Sequence, residues 1–181
     1  QRHTNRKPFR ADPLGQEKIN HLTQAAKVAA PNLVIQFTQE EEHKRILGRA
    51  GGANEEVMLL NRAVHDFFFS HVTWSRAEDA KKKVGFYIET LELPKPARLA
   101  FKLFRHWPVM RLFNKIGVPE KVGEQNGAGY AQAGAIGVIT VGALQPADFL
   151  TAGRAFERLW LKATELGLSL QPLTGVLFLT L

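Results

Sequence analysis

Apolar and polar positions alternate with helical spacing over several stretches of the chain, and short β-branched runs lie between them. Together with capping residues, this pattern predicts four helices, over residues 14–30, 39–47, 54–69 and 148–165. Glycine weakens a helix interior, so Gly48, Gly51 and Gly52 are predicted to separate the second helix from the third. The last helix should bury Leu150, Ala155, Leu159 and Ala163 or Leu166 and end before Gly167.

Other apolar runs are too short for helices and predict strands. Leu33–Phe37 is typical of a buried strand and Ala133–Ala143 of a central strand, and Leu168–Gln171 predicts a third, short one. A turn is predicted at Pro172–Gly175, and the glycine-rich, charged segment Gly117–Gly129 predicts a loop. These elements indicate an α+β fold in which a small mixed or antiparallel sheet is flanked by helices.

A further helix is predicted from Pro96 to about Lys115, with a kink at Pro108. Basic residues recur along it every three to six positions among apolar ones, namely Lys95, Arg98, Lys102, Arg105, Arg111 and Lys115. Such spacing is typical of a solvated helix face. The alternative is a basic stripe that binds nucleic acid or an anionic surface.

Composition narrows the chemistry that the chain can carry. It has 181 residues, 24 Lys plus Arg against 17 Asp plus Glu, a formal net charge of +7 and no cysteine. The length suits one domain over residues 1–181, which opens with a polar arm over residues 1–13. Without cysteine there are no disulfides, thiolate nucleophiles or Cys-ligated metals, as expected for a cytoplasmic protein.

The ends of the chain carry two further expectations. No apolar run approaches the roughly 20 residues that span a bilayer, so no membrane partner is predicted. The chain stops on the apolar run 176–181, from which we predict that a C-terminal tail is missing.

Common catalytic motifs are absent from the sequence. The glycines give no phosphate-binding loop, and no serine lies in a nucleophile elbow. The six histidines lack metal-ligand spacing; they are His3, His21, His43, His65, His71 and His106. No catalytic residue and no metal ligand is therefore predicted.

The N-terminal arm is the first candidate site. Arg2, Thr4 and Arg6 place two guanidiniums and a hydroxyl within five residues, a set that matches a phosphate monoester. The alternative is a flexible basic terminus without a ligand.

The second candidate is the segment Ala152–Leu168, which reads AGRAFERLWLKATELGL, with the Pro-x-x-Gly turn that follows it. This stretch resembles the C-terminal half of the FMN-dependent nitroreductase-like fold, and the opening RHTNRKPF is similar to that family's arginine-rich start. The resemblance implies that Arg2, Thr4 and Arg6 contact the FMN phosphate. It also implies that four turn residues approach the flavin ring, with a backbone N–H near position 174 facing the flavin N5: Pro172, Leu173, Thr174 and Gly175.

The chain departs from that family in two places. The flavin-holding Ser-x-x-Asn-x-Gln-Pro-Trp-like segment is shortened, because Ala29–Asn32 leads directly into a strand. Residues from about 70 to 130 form a divergent insertion, whose Trp74 and Trp107 are predicted to be core or interface aromatics.

The resemblance implies a homodimeric FMN-dependent oxidoreductase that passes electrons from NAD(P)H to a nitroaromatic, a quinone or a similar acceptor. Two alternatives stay open. One is a flavin-free, degenerate member of the same fold with an interaction or regulatory role. The other, less favoured, is a basic nucleic-acid-binding protein.

Overall fold

A computed structural model describes residues 4–143 and 145–175 of the chain. These residues are mostly helical and carry a few short strands, which confirms the predicted α+β class. Packing divides them into two units. The first takes in the residues up to Leu47 and Ala131–Leu173, and the second takes in Gly48–Tyr130 with Thr174 and Gly175.

The described helices are α1 (Gln16–Lys27), α2 (Glu41–Leu60), α3 (Arg62–Ser70), α4 (Arg76–Lys82), α5 (Lys95–Phe104), α6 (Trp107–Asn114), α7 (Val118–Ala131) and α8 (Pro146–Glu165). The strands are β1 (Val34–Thr38), β2 (Val72–Thr73), β3 (Phe86–Tyr87) and β4 (Ile136–Thr140). A 3-10 turn spans Ile88–Leu91.

The first unit is built on α1 packed against α8. Its core is formed by small and aliphatic side chains of both helices, namely Leu22, Ala26, Ala155, Leu159 and Ala163. The predicted inner face of α8 is therefore confirmed at its last three members, whereas Leu150 is exposed and the prediction for it was wrong. Gly167 ends α8 as predicted: its φ is +70°, and the Leu168 N–H donates to the Ala163 carbonyl at 2.8 Å.

The strands of this unit are shorter and more exposed than predicted. β1 and β4 pair antiparallel, with Val34 opposite Thr140 and Thr38 opposite Ile136. Among the described residues β4 pairs with β1 alone, so it is not a central strand, and β1 is half exposed rather than buried. The predicted strand at 168–171 is reduced to one bridge made by Leu170.

The second unit has an aromatic core. Its most buried apolar side chains include Leu59, Met110 and Ile88, and the rings of Trp74 and Trp107 pack around them, as predicted for core aromatics. His65 is fully buried, with its Nε2 2.8 Å from the Phe104 carbonyl oxygen. This histidine therefore serves packing.

Two predicted helix boundaries were wrong. α2 continues through Gly48, Gly51 and Gly52 to Leu60, and the break falls at Asn61. The Asn61 side chain accepts hydrogen bonds from the N–H groups of residues 63 and 64 and so caps α3. Gly51 and Gly52 are both buried, and at Gly52 a larger side chain would meet the backbone of α7.

The same packing explains why the predicted loop at 117–129 is the helix α7. A Cβ on Gly127 would lie 2.9 Å from the Gly48 carbonyl oxygen, and one on Gly52 would overlap the Gly123 carbonyl oxygen. The glycines of α2 and α7 thus let two helix backbones touch. The predicted helix 96–115 is also divided, into α5 and α6, with Pro108 in the first turn of α6 rather than at a kink.

Candidate functional site

The N-terminal arm is held against the segment that follows α8. Thr4 forms a parallel β-bridge with Leu170, and the Asn5 N–H donates to the Leu170 carbonyl at 2.9 Å. Because Leu170 lies two residues before Pro172, the arm runs beside the chain that leads into the predicted turn. The first predicted site is therefore paired with the short segment that joins α8 to the second.

A local turn fixes the backbone of the arm. The side-chain amide Nδ2 of Asn5 donates to the Lys7 carbonyl at 2.8 Å, and the Asn5 Oδ1 accepts from the Lys7 backbone N–H at 3.3 Å. Thr4 is half-buried, whereas Arg6 is exposed and forms no ion pair with any described residue. The Arg6 guanidinium is thus free to meet an anion. Arg2, the other predicted phosphate contact, lies outside the described residues.

The predicted turn is divided between the two units. Pro172 and Leu173 are half-buried in the first unit, close in sequence to the Leu170 bridge. Thr174 and Gly175 group with the second, where Gly175 packs on Asn54 of α2 so closely that a Cβ there would lie 2.6 Å from the Asn54 Cγ. The arm is therefore paired with Leu170, and only the first half of the turn belongs to the same unit.

A groove that the sequence did not predict lies in the first unit, between α1 and β1. Its volume is about 700 Å³, and its apolar lining comes from Ile19, Ile35 and Phe37. Lys27 and Glu40 are the charged residues that line it, so it lacks the cluster of cations that a phosphate requires. None of the predicted site residues borders it. Its two walls come from separate elements, and only their packing creates the groove.

A carboxyl group in the second unit was also missed. Burial raises the pKa of Glu55 above its usual value, although the Tyr130 hydroxyl, which donates to Glu55 Oε1 at 3.0 Å, partly opposes this effect. The Glu55 Oε2 is buried and has no hydrogen-bond partner among the described residues. Glu55 stands in a charged stretch of an amphipathic helix, and nothing in the pattern distinguishes it from an exposed neighbour.

The described residues form neither a metal-ligand cluster nor a membrane-spanning helix. Within 4–143 and 145–175, no three His, Asp or Glu side chains lie close enough together to hold a metal ion. None of the helices described here has the length and hydropathy needed to cross a bilayer.

Comparison with known proteins adds no family. No family model matches the chain, and no match was found among the curated proteins or the solved structures.

Proposed function

We propose that this chain is an FMN-dependent oxidoreductase of the nitroreductase-like class, which passes electrons from NAD(P)H to a nitroaromatic, a quinone or a similar acceptor. The observation that carries the proposal is the bridge between Thr4 and Leu170. It holds the described part of the arm, from Thr4 onward, beside the chain that enters the Pro-x-x-Gly turn. The resemblance assigns the arm and the turn to opposite ends of one flavin, and the arm's partner Leu170 lies two residues before the turn.

The arm fits a phosphate monoester in two respects: it is positively charged, and its backbone at Thr4 and Asn5 is fixed. A phosphate is bound tightly by charge-assisted donors whose positions are fixed before the ligand arrives. Thr4 and Asn5 are fixed by their pairing with Leu170. Two positions after Thr4, the exposed guanidinium of Arg6 has no ion-pair partner among the described residues. Under this proposal Arg6 and Arg2 neutralise the phosphate and the Thr4 hydroxyl donates to it.

The turn positions the ring system. Pro172 restricts the backbone, Leu173 offers a half-buried apolar side chain, and the backbone N–H near Thr174 donates to the flavin N5. The bound flavin supplies the hydride chemistry at that atom. The protein then needs to hold the ring and shield it from water, which explains how an enzyme can lack a catalytic constellation of side chains.

The nitroreductase-like fold and the homodimer belong to the same proposal. The support for the fold is α8, because the Gly-Arg-Ala…Gly-Leu pattern coincides with one long helix whose Ala155, Leu159 and Ala163 are buried and whose end is set by Gly167. The homodimer is proposed from the resemblance alone. The flavin-free alternative differs from the proposal in one measurable property, the uptake of FMN.

The test is titration of the purified chain with FMN, followed by quenching of flavin fluorescence. Arg6→Ala should weaken binding about 10- to 100-fold, because a lost charge-assisted contact costs roughly 1.5–3 kcal/mol. Arg10→Ala is the matched control, since Arg10 is an exposed arginine of the same arm, and its affinity should stay within about 3-fold of wild type. Unchanged binding by Arg6→Ala would show that the arm does not hold the phosphate. A chain that takes up no FMN would favour the flavin-free alternative.

A further inference from the structure

Much of the positive charge of the chain is concentrated in one helical pair. Between Glu92 and Glu120 there is no acidic residue, whereas six Lys and Arg side chains occur there: Lys95, Arg98, Lys102, Arg105, Arg111 and Lys115. This segment forms α5 and α6, which pack on one another within the second unit. The helical pair therefore carries a strong positive charge of its own.

Large aliphatic side chains of the same two helices are exposed. The exposed fractions are 64% for Leu99, 47% for Leu103, 63% for Leu112 and 64% for Ile116. Other residues supply the buried face, among them Met110, which is fully buried. These aliphatic residues therefore do not belong to the core. The pattern Arg-Leu-x-x-Lys followed by Leu or Ile occurs twice, once within α5 and once at the end of α6, where Lys115 and Ile116 directly follow the helix.

Two of the six cations have partners in the protein. Arg98 pairs with Glu89 at 3.2 Å, and the Arg105 guanidinium lies 5.1 Å from the centre of the Trp74 ring. The other four are exposed and form no ion pair with any residue in the described ranges, namely Lys95, Lys102, Arg111 and Lys115. Free cations thus alternate with exposed aliphatic groups.

We define this exposed set, on α5, on α6 and at the two residues that follow α6, as the basic–aliphatic surface, and its chemistry selects the partner. A second copy of the same surface would bring like charges together. Nucleic acid would neutralise the cations but would leave the aliphatic groups with nothing to bury them. A lipid surface of anionic headgroups satisfies both, since lysines meet the headgroups and leucines enter the acyl boundary.

We propose that the basic–aliphatic surface binds the surface of an anionic phospholipid membrane. The binding is peripheral. It departs from the prediction of no membrane partner, which rested on the absence of a membrane-length apolar run, and it agrees with the anionic-surface alternative that the basic spacing left open. It does not depend on FMN, so the two proposals succeed or fail separately.

The test is sedimentation of the full chain with phosphatidylcholine vesicles that contain about 30% phosphatidylglycerol, with pure phosphatidylcholine vesicles alongside. Wild type should bind the anionic vesicles alone, and added salt should weaken the binding. Lys102→Gln with Lys115→Gln should lower the affinity about 10- to 30-fold. Leu99→Asn with Leu112→Asn should lower it about 10-fold or more.

Matched double variants on other exposed helix positions serve as controls. Lys18→Gln with Lys81→Gln removes two exposed lysines elsewhere, and Leu150→Asn with Leu161→Asn removes two exposed leucines of α8. Both controls should bind as wild type does, and far-UV circular dichroism should show that every variant is folded.

Several outcomes would overturn the proposal. Absence of vesicle binding, equal binding to neutral vesicles, or an equal loss in the control variants would each do so. Binding to a short oligonucleotide that the lysine variant alone weakens would assign the surface to nucleic acid instead. A dimer that the variant at Leu99 and Leu112 turns into a monomer would make the surface an interface between copies.

Discussion

Gly52→Ala tests the close contact between α2 and α7, on which the architecture of the second unit depends. A methyl group at Gly52 would overlap the Gly123 carbonyl oxygen and would lie 2.9 Å from the Gly127 nitrogen. All the atoms in its way belong to the backbone, so no side-chain rotation can relieve the overlap. One of the two helices must therefore shift.

The magnitude follows from two opposing effects. Overpacking of a well-packed site costs roughly 3 kcal/mol when backbone has to move. Replacing glycine by alanine inside a helix returns about 1 kcal/mol. The free energy of unfolding should therefore fall by about 2 kcal/mol. The control is Gly153→Ala in α8, where nothing lies within 4 Å of the added methyl group, and this variant should gain about 1 kcal/mol.

Thermal unfolding followed by circular dichroism measures both variants. For a chain of this length, 1 kcal/mol corresponds to roughly 2–4 °C, so Gly52→Ala should melt about 4–8 °C lower and Gly153→Ala a few degrees higher. The opposite signs exclude a general effect of alanine. If Gly52→Ala is as stable as Gly153→Ala, the α2 and α7 backbones do not meet at Gly52.

Two further predictions concern buried charged groups. Burial raises the pKa of Glu55 above its usual 4.5, so the folded chain binds a proton at Glu55 more tightly than the unfolded chain does. The stability that this proton contributes is therefore lost as pH rises from about 4.5 through the folded pKa. Glu55→Gln should thus raise the urea midpoint relative to wild type at pH near 7.5 but not near 4, and an equal midpoint at both would contradict this. Lys44 is buried, donates to the Ala133 carbonyl at 3.1 Å and pairs with Glu41 at 2.7 Å. Lys44→Met leaves that carbonyl without its donor and should cost about 1–3 kcal/mol in urea unfolding, whereas the exposed control Lys27→Met should change stability by less than about 0.5 kcal/mol.

Local signals predicted α8 well and α2 poorly, for one physical reason. The end of α8 is set by Gly167 in a left-handed conformation, a local requirement that any sequence window contains. The glycines of α2 look like helix breakers in the same kind of window, yet they serve a contact with α7, which lies some 70 residues further along the chain. Propensity cannot distinguish a glycine that ends a helix from one that lets two helices touch.

In α5 and α6 the sequence likewise could not predict which apolar side chains are exposed. Both helices alternate apolar and basic residues, and the pattern alone does not show which apolar residues are buried. Packing buries Met110 in the core of the second unit and leaves Leu99 and Leu112 exposed. The helix face that the sequence predicted to be solvated therefore carries both charged and aliphatic groups.

The chemistry of the candidate site came from residue types, whereas its assembly did not. Arginine and threonine in the arm suggested a phosphate. The residue that pairs with Thr4 and Asn5, however, is Leu170 at the other end of the chain, and the pairing is made by the backbone. Backbone pairing of this kind leaves no side-chain signature. The groove between α1 and β1 and the buried carboxyl of Glu55 were missed because both arise from packing.

The most direct test of the proposed function compares FMN with riboflavin, which has the same ring system but no phosphate. We predict that the wild-type chain binds FMN at least 10-fold more tightly than riboflavin, because the arm holds the phosphate. Arg6→Ala should remove most of that difference while leaving the riboflavin affinity unchanged. Equal affinity of the wild type for the two flavins, or binding of neither, would contradict the account.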